Sequence, residues 1–131
     1  MSDNTVNRSL VTRWGNHNSL FDNGWVGVPI AFLSNYGKLI QYGGLTAAEA
    51  MFVLQLMAFK WDQNAPYPSY ATVAKRMNIT DKQVRRYAKA LEDKGFLNRT
   101  ARIGATNAFD LQPLFDAIAN AEHAAIVKKV A

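Results

Sequence analysis

The chain has 131 residues, 49% of them hydrophobic and 19% charged, with a formal net charge of +5 and no cysteine. This length and composition are those of a globular protein with one domain large enough to bury a core, and they exclude a disordered or fibrous chain. The absence of cysteine excludes disulfides, thiolate catalysis and cysteine-based zinc sites.

The first 23 residues are rich in Asn, Ser, Asp and Thr and have no clear hydrophobic period, which predicts a flexible tail. They contain no signal-peptide pattern. Arg8, Arg13 and Trp14 could form an arm on a phosphate backbone; the alternative is a tail that is disordered or packs on a partner. We expect residues 24–131 to form a single domain.

Residues 24–30, GWVGVPI, predict a short strand, and residues 30–36 predict one or two helical turns ended by Gly37. Thr46-Ala-Ala-Glu49 is a capping box, in which each side chain bonds the other residue's amide. The apolar residues that follow are spread around more than one side of a helix, which predicts a core helix. The apolar stretch 45–59 is too short to cross a bilayer, so we expect a cytoplasmic protein without a membrane partner.

Two further helices are predicted close together. One runs from its cap at Ser69 to Met77, and the next starts at Thr80 with a second capping box, TDKQ, and ends at Gly95 in a left-handed conformation. Asn78 lies at the corner between them, where the backbone must also be left-handed. Ala74 faces the second helix and permits close approach. The predicted shared core comprises Val73, Met77, Ile79, Val84, Tyr87, Ala88 and Leu91.

The remainder predicts a hairpin and a final helix. Residues 96–103 and 107–111 are strand-like, and a glycine-containing turn at 104–107 joins them. Pro113 opens a helix that runs to Val130, with an apolar stripe formed by Leu114, Phe115, Ile118, Ala121 and Ala125. This helix either mediates a homodimer or closes the core of the monomer together with the helix that starts at Thr46.

The corner resembles the helix-turn-helix motif. Relative to Asn78, alanine lies four residues before, and apolar residues lie five before, one before, one after, six after and nine after, as in the motif. Asparagine in place of the usual glycine is the one departure. With Pro68-Ser69 ahead of the motif, LEDKGFL after it and a hairpin carrying Arg99 and Arg102, residues 22–115 resemble a winged helix-turn-helix DNA-binding domain. The order of elements is similar to that in the small winged-helix domains of plasmid and phage replication initiators and related bacterial regulators.

The resemblance implies a mainly α (α+β) fold. We expect a three-helix core, a two-stranded β-hairpin wing over residues 96–111, a short N-terminal strand and an extra C-terminal helix. Residues 80–94 would form the recognition helix. Double-stranded DNA would be the partner.

The charge distribution favours a polyanionic partner. Residues 62–112 hold nine cations and five anions, a net charge of +4 out of the total of +5. The alternative is a basic surface that serves solubility alone. The acids of the recognition helix lie at its ends. We expect Asp81 to stabilise the positive N-terminus of the helix, and Glu92 and Asp93 to lie beyond the DNA face.

The site residues fall into three groups. We predict that the outward face of the recognition helix reads bases, with Gln83 pairing with adenine and Arg86 with guanine. This base-reading group comprises Lys82, Gln83, Arg86 and Lys89. The predicted DNA-backbone contacts are Ser69, Tyr70, Thr72, Lys75, Thr80 and Arg85, and the wing contacts are Arg99, Arg102 and Asn107. Arg76 either contacts phosphate or pairs internally with an acid.

Nothing in the sequence indicates catalysis. His17 and His123 are isolated from other metal ligands, and Gly43-Gly44 lacks the lysine of a phosphate loop. We therefore expect no enzyme activity, metal, cofactor or small-molecule ligand. Three functions remain. The first is a transcriptional regulator, the second a replication-initiation or partition protein at repeated origin sites, and the third a winged helix that binds an acidic protein. For the first two we expect a bacterial, phage or plasmid protein associated with the nucleoid.

Overall fold

The computed structural model describes residues 13–15, 19–40, 43–59, 68–101, 104 and 107–130. Most of the predicted N-terminal tail, including Arg8, lies outside these residues. The elements are α1 (Ile30–Asn35), α2 (Ala47–Met57), α3 (Tyr70–Met77), α4 (Asp81–Asp93), β1 (Asn98–Thr100), β2 (Ala108–Asp110) and α5 (Gln112–Val130). The predicted mainly helical fold with a hairpin wing is confirmed. Of the helices described, none combines the length and the hydropathy that a bilayer crossing requires.

Side-chain caps start the three central helices. At α2 the capping box is complete, because Thr46 Oγ1 accepts from the Glu49 amide at 3.1 Å and Glu49 Oε1 accepts from the Thr46 amide at 2.9 Å. At α4 the structure records the threonine half of the predicted box, in which Thr80 Oγ1 accepts from the Gln83 amide at 3.1 Å. Ser69 caps α3 in the same way, with the Thr72 amide as donor.

The corner between α3 and α4 is built as the sequence predicts. Asn78 adopts φ 56° and ψ 48°, which is the left-handed conformation. The Ile79 amide donates to the Ala74 carbonyl at 3.0 Å and the Asn78 amide to the Lys75 carbonyl at 3.3 Å, so the helix ends in a Schellman motif. Ala74 is buried against α4, which allows the two helices to approach closely.

The core lies between α2, the α3–α4 pair, the wing and the first half of α5. Its largest fully buried side chains include Phe32, Phe52, Phe96 and Phe109. Phe52 in α2 packs against Tyr87 in α4 and meets the ring of Phe109 edge-on, so one aromatic cluster joins the helices to the wing. Burial on several sides of α2 confirms the prediction of a core helix.

The wing is an antiparallel hairpin in which Asn98 pairs with Asp110, Arg99 with Phe109 and Thr100 with Ala108. Its strands are shorter than predicted, three residues each. Residues directly opposite each other in such a pair project from the same face. Since Phe109 is buried, Arg99 lies on the face of the wing that covers the helices.

The predicted N-terminal strand is wrong. Residues 24–29 adopt no regular structure, and the sheet described contains β1 and β2 as its strands. A strand is stabilised by pairing with a neighbour, and Trp25 and Val26 instead project into solvent. Pro29 then serves as the N-cap of α1.

The first half of α5 closes the monomer core, mainly against α1. Leu114 and Ile118 are buried, the ring of Phe115 lies 6.2 Å from that of Phe32, and Asn35 Nδ2 donates to Glu122 Oε2 at 2.8 Å. The second half is exposed from residue 123 onward. The first half therefore closes the monomer core, and the homodimer stays a prediction for the exposed second half.

Candidate nucleic-acid interface

One face of α4 carries a row of charged side chains that project into solvent. Val84, Ala88 and Leu91 are completely buried and fix the opposite face against the core. Successive helical residues are about 100° apart around the axis, so positions 82, 86, 89 and 93 share the outward face. We call this row the outer stripe, and its members are Lys82, Arg86, Lys89 and Asp93.

Gln83 and Arg85 lie on opposite flanks of the outer stripe. Gln83 is half-buried and about 60° from Arg86, on the side of Tyr87, so it is not central as a base-reading residue would be. Arg85 lies on the other flank, toward the wing, and is exposed. Together with the outer stripe, Arg85 and Arg99 line a shallow concavity between α4 and the wing.

Asp93 corrects one prediction. We expected the acids at the end of this helix to lie beyond the predicted DNA face, but Asp93 belongs to the outer stripe. Its Oδ1 is 2.8 Å from Lys89 Nζ, and this pairing, mainly through the hydrogen bond, raises the pKa of Lys89. Both side chains are well exposed, so water screens the pair. Asp93 follows Lys89 by four residues and Arg86 by seven. In a helix this spacing already places the three side chains on one face.

Tyr70 and Arg99 also depart from the predicted roles. Arg99 Nη1 donates to the Tyr70 hydroxyl, and Arg99 Nη2 lies 2.9 Å from Glu92 Oε1. Arg99 therefore makes internal contacts instead of projecting outward from the wing, and the tyrosine hydroxyl is engaged within the protein. The Arg85 guanidinium stacks on the Tyr70 ring, 4.8 Å from its centroid.

The start of α3 faces a cleft that borders the wing. Ser69, Tyr70, Asp81, Arg85, Asn107 and Phe109 contribute to its lining, and its volume is about 340 Å³. The Ser69 and Thr72 hydroxyls lie 2.8 Å apart. Thr72, Lys75 and Thr80 are exposed, as residues that contact the DNA backbone must be. Arg102 lies outside the described residues. Arg76 stacks on the ring of Phe59, 4.5 Å from its centroid, so its internal partner among the described residues is an aromatic ring.

A partly buried ion pair, which sequence analysis missed, fixes the end of α4. Lys94 Nζ lies 2.7 Å from Glu49 Oε1 and donates to the Gly44 carbonyl at 3.1 Å. The Glu49 side chain is 8% exposed and that of Lys94 20%. The pair joins residues 45 positions apart in the chain. No local sequence pattern indicates such a contact.

The sequence model of the helix-turn-helix domain family matches residues 42–97. Residues 42–97 are thus similar to helix-turn-helix domains. The matched range holds α2, the α3–α4 corner and the outer stripe, and it ends at Leu97, just before β1. With the hairpin that follows, the arrangement has the fold of a winged helix-turn-helix.

The fold of the whole chain has a counterpart among solved structures. The N-terminal domain of the DnaD protein from Geobacillus kaustophilus HTA426 superposes with a TM-score of 0.61 and 20% sequence identity, over 98% of this chain and 97% of that chain. At this identity the likeness concerns the fold. A comparison with curated proteins gives no significant match.

The fold brings most of the predicted site residues together around α4, the start of α3 and the wing. Lys82, Arg86 and Lys89 share one face, and Arg85 joins them to the wing. Gln83 lies at the margin, and Arg99 and the Tyr70 hydroxyl are used internally. Among the described residues, no group of three or more His, Asp or Glu side chains is placed to hold a metal ion.

Proposed function

We propose that this protein binds double-stranded DNA sequence-specifically, with α4 in the major groove and the wing beside it. The observation that carries the proposal is the exposed row of Lys82, Arg86 and Lys89 on a helix whose opposite face is completely buried. A helix held in this way presents side chains to base edges from a backbone that folding has already ordered. The proposed activity is binding and requires no cofactor.

The side chains of α4 suit different parts of the duplex. Arg86 is central in the row and can donate two hydrogen bonds to guanine O6 and N7, a contact that discriminates by about 1–3 kcal/mol. Lys82 and Lys89 are point charges that suit either phosphates or guanine. Gln83, at the margin, can reach an adenine only toward one edge of the groove. Lys75, Thr72 and Thr80 are exposed and remain proposed backbone contacts.

The first proposed cellular role is transcriptional regulation. The second is replication initiation or partition at repeated origin sites, which is favoured by the sequence resemblance to winged-helix domains of plasmid and phage replication initiators. A footprint over a promoter supports the first role, and a footprint over tandem repeats near an origin supports the second. No binding to any duplex at low salt would instead favour an acidic protein as the partner.

Selection from a random duplex pool, followed by fluorescence anisotropy on the selected sequence, tests DNA recognition. The double variant Gln83→Ala with Arg86→Ala should lose affinity at least tenfold and lose base preference at the positions it contacts. Lys128→Ala is the matched control, since it also removes one exposed cation, near the end of α5, and should bind almost as the parent does. Unchanged affinity and preference in the double variant would overturn the recognition assignment.

The proposal includes a homodimer formed through the second half of α5. Helix-turn-helix domains commonly read paired half-sites as dimers. Ile126, Val127 and Val130 lie on one face of this half and are between 51% and 82% exposed. Residues 123–130 are exposed throughout, and so short a helical segment gains most of its stability from packing. A second copy of the same apolar face would supply that packing.

Light scattering on the full chain tests the dimer. The expected mass is twice that of the chain, and Val130→Asp should halve it because a carboxylate would be buried in the interface. Ala125→Asp, which places the same charge on another face of the helix, should leave the mass unchanged. A monomeric parent chain would reject this part of the proposal.

A further inference from the structure

Tyr70 lies where three elements of the domain meet. It belongs to α3, the Arg85 guanidinium of α4 stacks on its ring, and Phe109 of the wing meets it edge-on with the ring centroids 5.8 Å apart. Its hydroxyl accepts the hydrogen bond from Arg99 of β1. The wing is therefore joined to both helices of the motif through one aromatic side chain.

Arg99 connects the same three elements through its guanidinium. One terminal nitrogen donates to Tyr70 and the other lies 2.9 Å from Glu92 Oε1 in the last turn of α4. The side chains of Arg99 and Glu92 are 30% and 26% exposed, so water screens this pair less than it screens Lys89 and Asp93 at 69% and 62%. The hydrogen bond that Arg99 donates to the Tyr70 hydroxyl is the main cause that raises the pKa of Arg99.

The hairpin needs such an anchor because it is short. Each strand has three residues, and a two-stranded hairpin of this size is marginally stable in water by itself. The burial of Phe109 holds the wing against the core, but apolar packing does not by itself set the angle of the wing. The planar, forked guanidinium of Arg99 can add a fixed direction, since two of its nitrogens engage partners on two different helices.

We infer that Arg99 is a positioning residue that sets the angle of the wing to the recognition helix through Glu92 and Tyr70. Its contribution to DNA binding is then indirect, through the placement of the wing. Glu92 has the same role from the helix side, although its negative charge by itself disfavours DNA. The inference about DNA affinity rests on the proposed function, whereas the inference about the wing does not.

Replacing Glu92 tests whether its charge or its contact with Arg99 matters for DNA binding, because the two explanations predict opposite changes in affinity. If only charge matters, Glu92→Gln removes an anion near the bound duplex and should strengthen binding. If Glu92 holds Arg99 in place, the same variant should weaken binding roughly fivefold, because the wing is no longer fixed. Asp93→Asn is the matched control, since it removes the same charge from the adjacent, exposed residue and should strengthen binding.

Amide hydrogen exchange of the full-length chain without DNA measures the wing directly. Glu92→Gln, Arg99→Ala and the milder Tyr70→Phe should each speed exchange at the strand amides, residues 98–100 and 108–110, and leave the buried amides of α2 protected. Asp93→Asn should not change it. Because α2 reports the global fold, a variant that merely unfolds is recognised.

Two results would overturn the inference. They are unchanged exchange in the strands of Glu92→Gln, and DNA binding by that variant that equals or exceeds the binding of the parent. If the parent chain bound no DNA, the proposed function would fail, and the exchange measurement would still decide whether Arg99 fixes the wing.

Discussion

At the scale of single residues, the acid on the outer stripe has the clearest consequence. Asp93 pairs with Lys89 on the surface proposed to meet DNA, so it both engages a cation and repels phosphates. We expect Asp93→Asn to raise DNA affinity about threefold at low salt, with the gain shrinking as salt rises. Anisotropy titrations at two salt concentrations measure it. Weaker binding would mean that Asp93 accepts a hydrogen bond from a base such as cytosine.

Gly44 is a second residue whose replacement should have a large effect, here on the stability of the fold. Its φ is +87°, and an added Cβ would lie 2.3 Å from the Tyr36 carbonyl oxygen, while the Leu45 amide donates to that same oxygen at 2.7 Å. Gly44→Ala should therefore lower the free energy of unfolding by about 3 kcal/mol or more.

Gly43→Ala is the control for this prediction. Gly43 also has a positive φ, +72°, but no atom of the part of the chain that the structure describes lies within 4 Å of its added Cβ. Its replacement should cost only about 1 kcal/mol of backbone strain. Urea denaturation of both variants measures the difference, and equal losses would show that the close approach at Gly44 relaxes without cost.

At the scale of elements, the α3–α4 corner depends on the conformation of Asn78. Its left-handed backbone is accessible to asparagine but is most favourable for glycine. We expect Asn78→Gly to raise the free energy of unfolding by about 0.5 kcal/mol and Asn78→Ala to lower it by about 1 kcal/mol. Urea midpoints with unchanged slopes provide the measurement. A less stable glycine variant would mean that the asparagine side chain itself stabilises the corner.

At the scale of the whole molecule, the Lys94–Glu49 pair connects the end of α4 to the start of α2. Lys94→Met would leave the carboxylate of Glu49, 8% exposed, without its cation. We expect a loss of about 3 kcal/mol in the free energy of unfolding, because the buried carboxylate would lose its cation and keep the Thr46 amide as its donor.

The control for this prediction is Lys89→Met, which breaks an exposed ion pair and should leave the unfolding midpoint nearly unchanged. Adding Glu49→Gln to Lys94→Met should recover part of the loss, since no charge then remains buried. If the two lysine variants were equally stable, the Glu49 carboxylate would have another source of stabilisation.

The wing shows where prediction from sequence failed. The hairpin itself was predictable, because the two strand-like runs and the glycine turn lie within a short stretch. The direction of Arg99 was not, since it depends on pairing with Phe109 and on Glu92 and Tyr70, which belong to other elements. Asp93 was a different failure. It lies four residues after Lys89, so helical spacing alone places its negative charge on the same face.

The sequence by itself determined what depends on neighbours in the chain. Caps at Thr46, Ser69 and Thr80, the left-handed Asn78 and the buried face of α4 all arise from hydrogen bonds and periodicity within a few residues. Tertiary structure alone decided that the segment before α1 is not a strand, that Arg99 contacts Tyr70 and Glu92 and that Lys94 reaches Glu49. These outcomes depend on partners brought close by folding, and a linear pattern of residue types contains no distances between them.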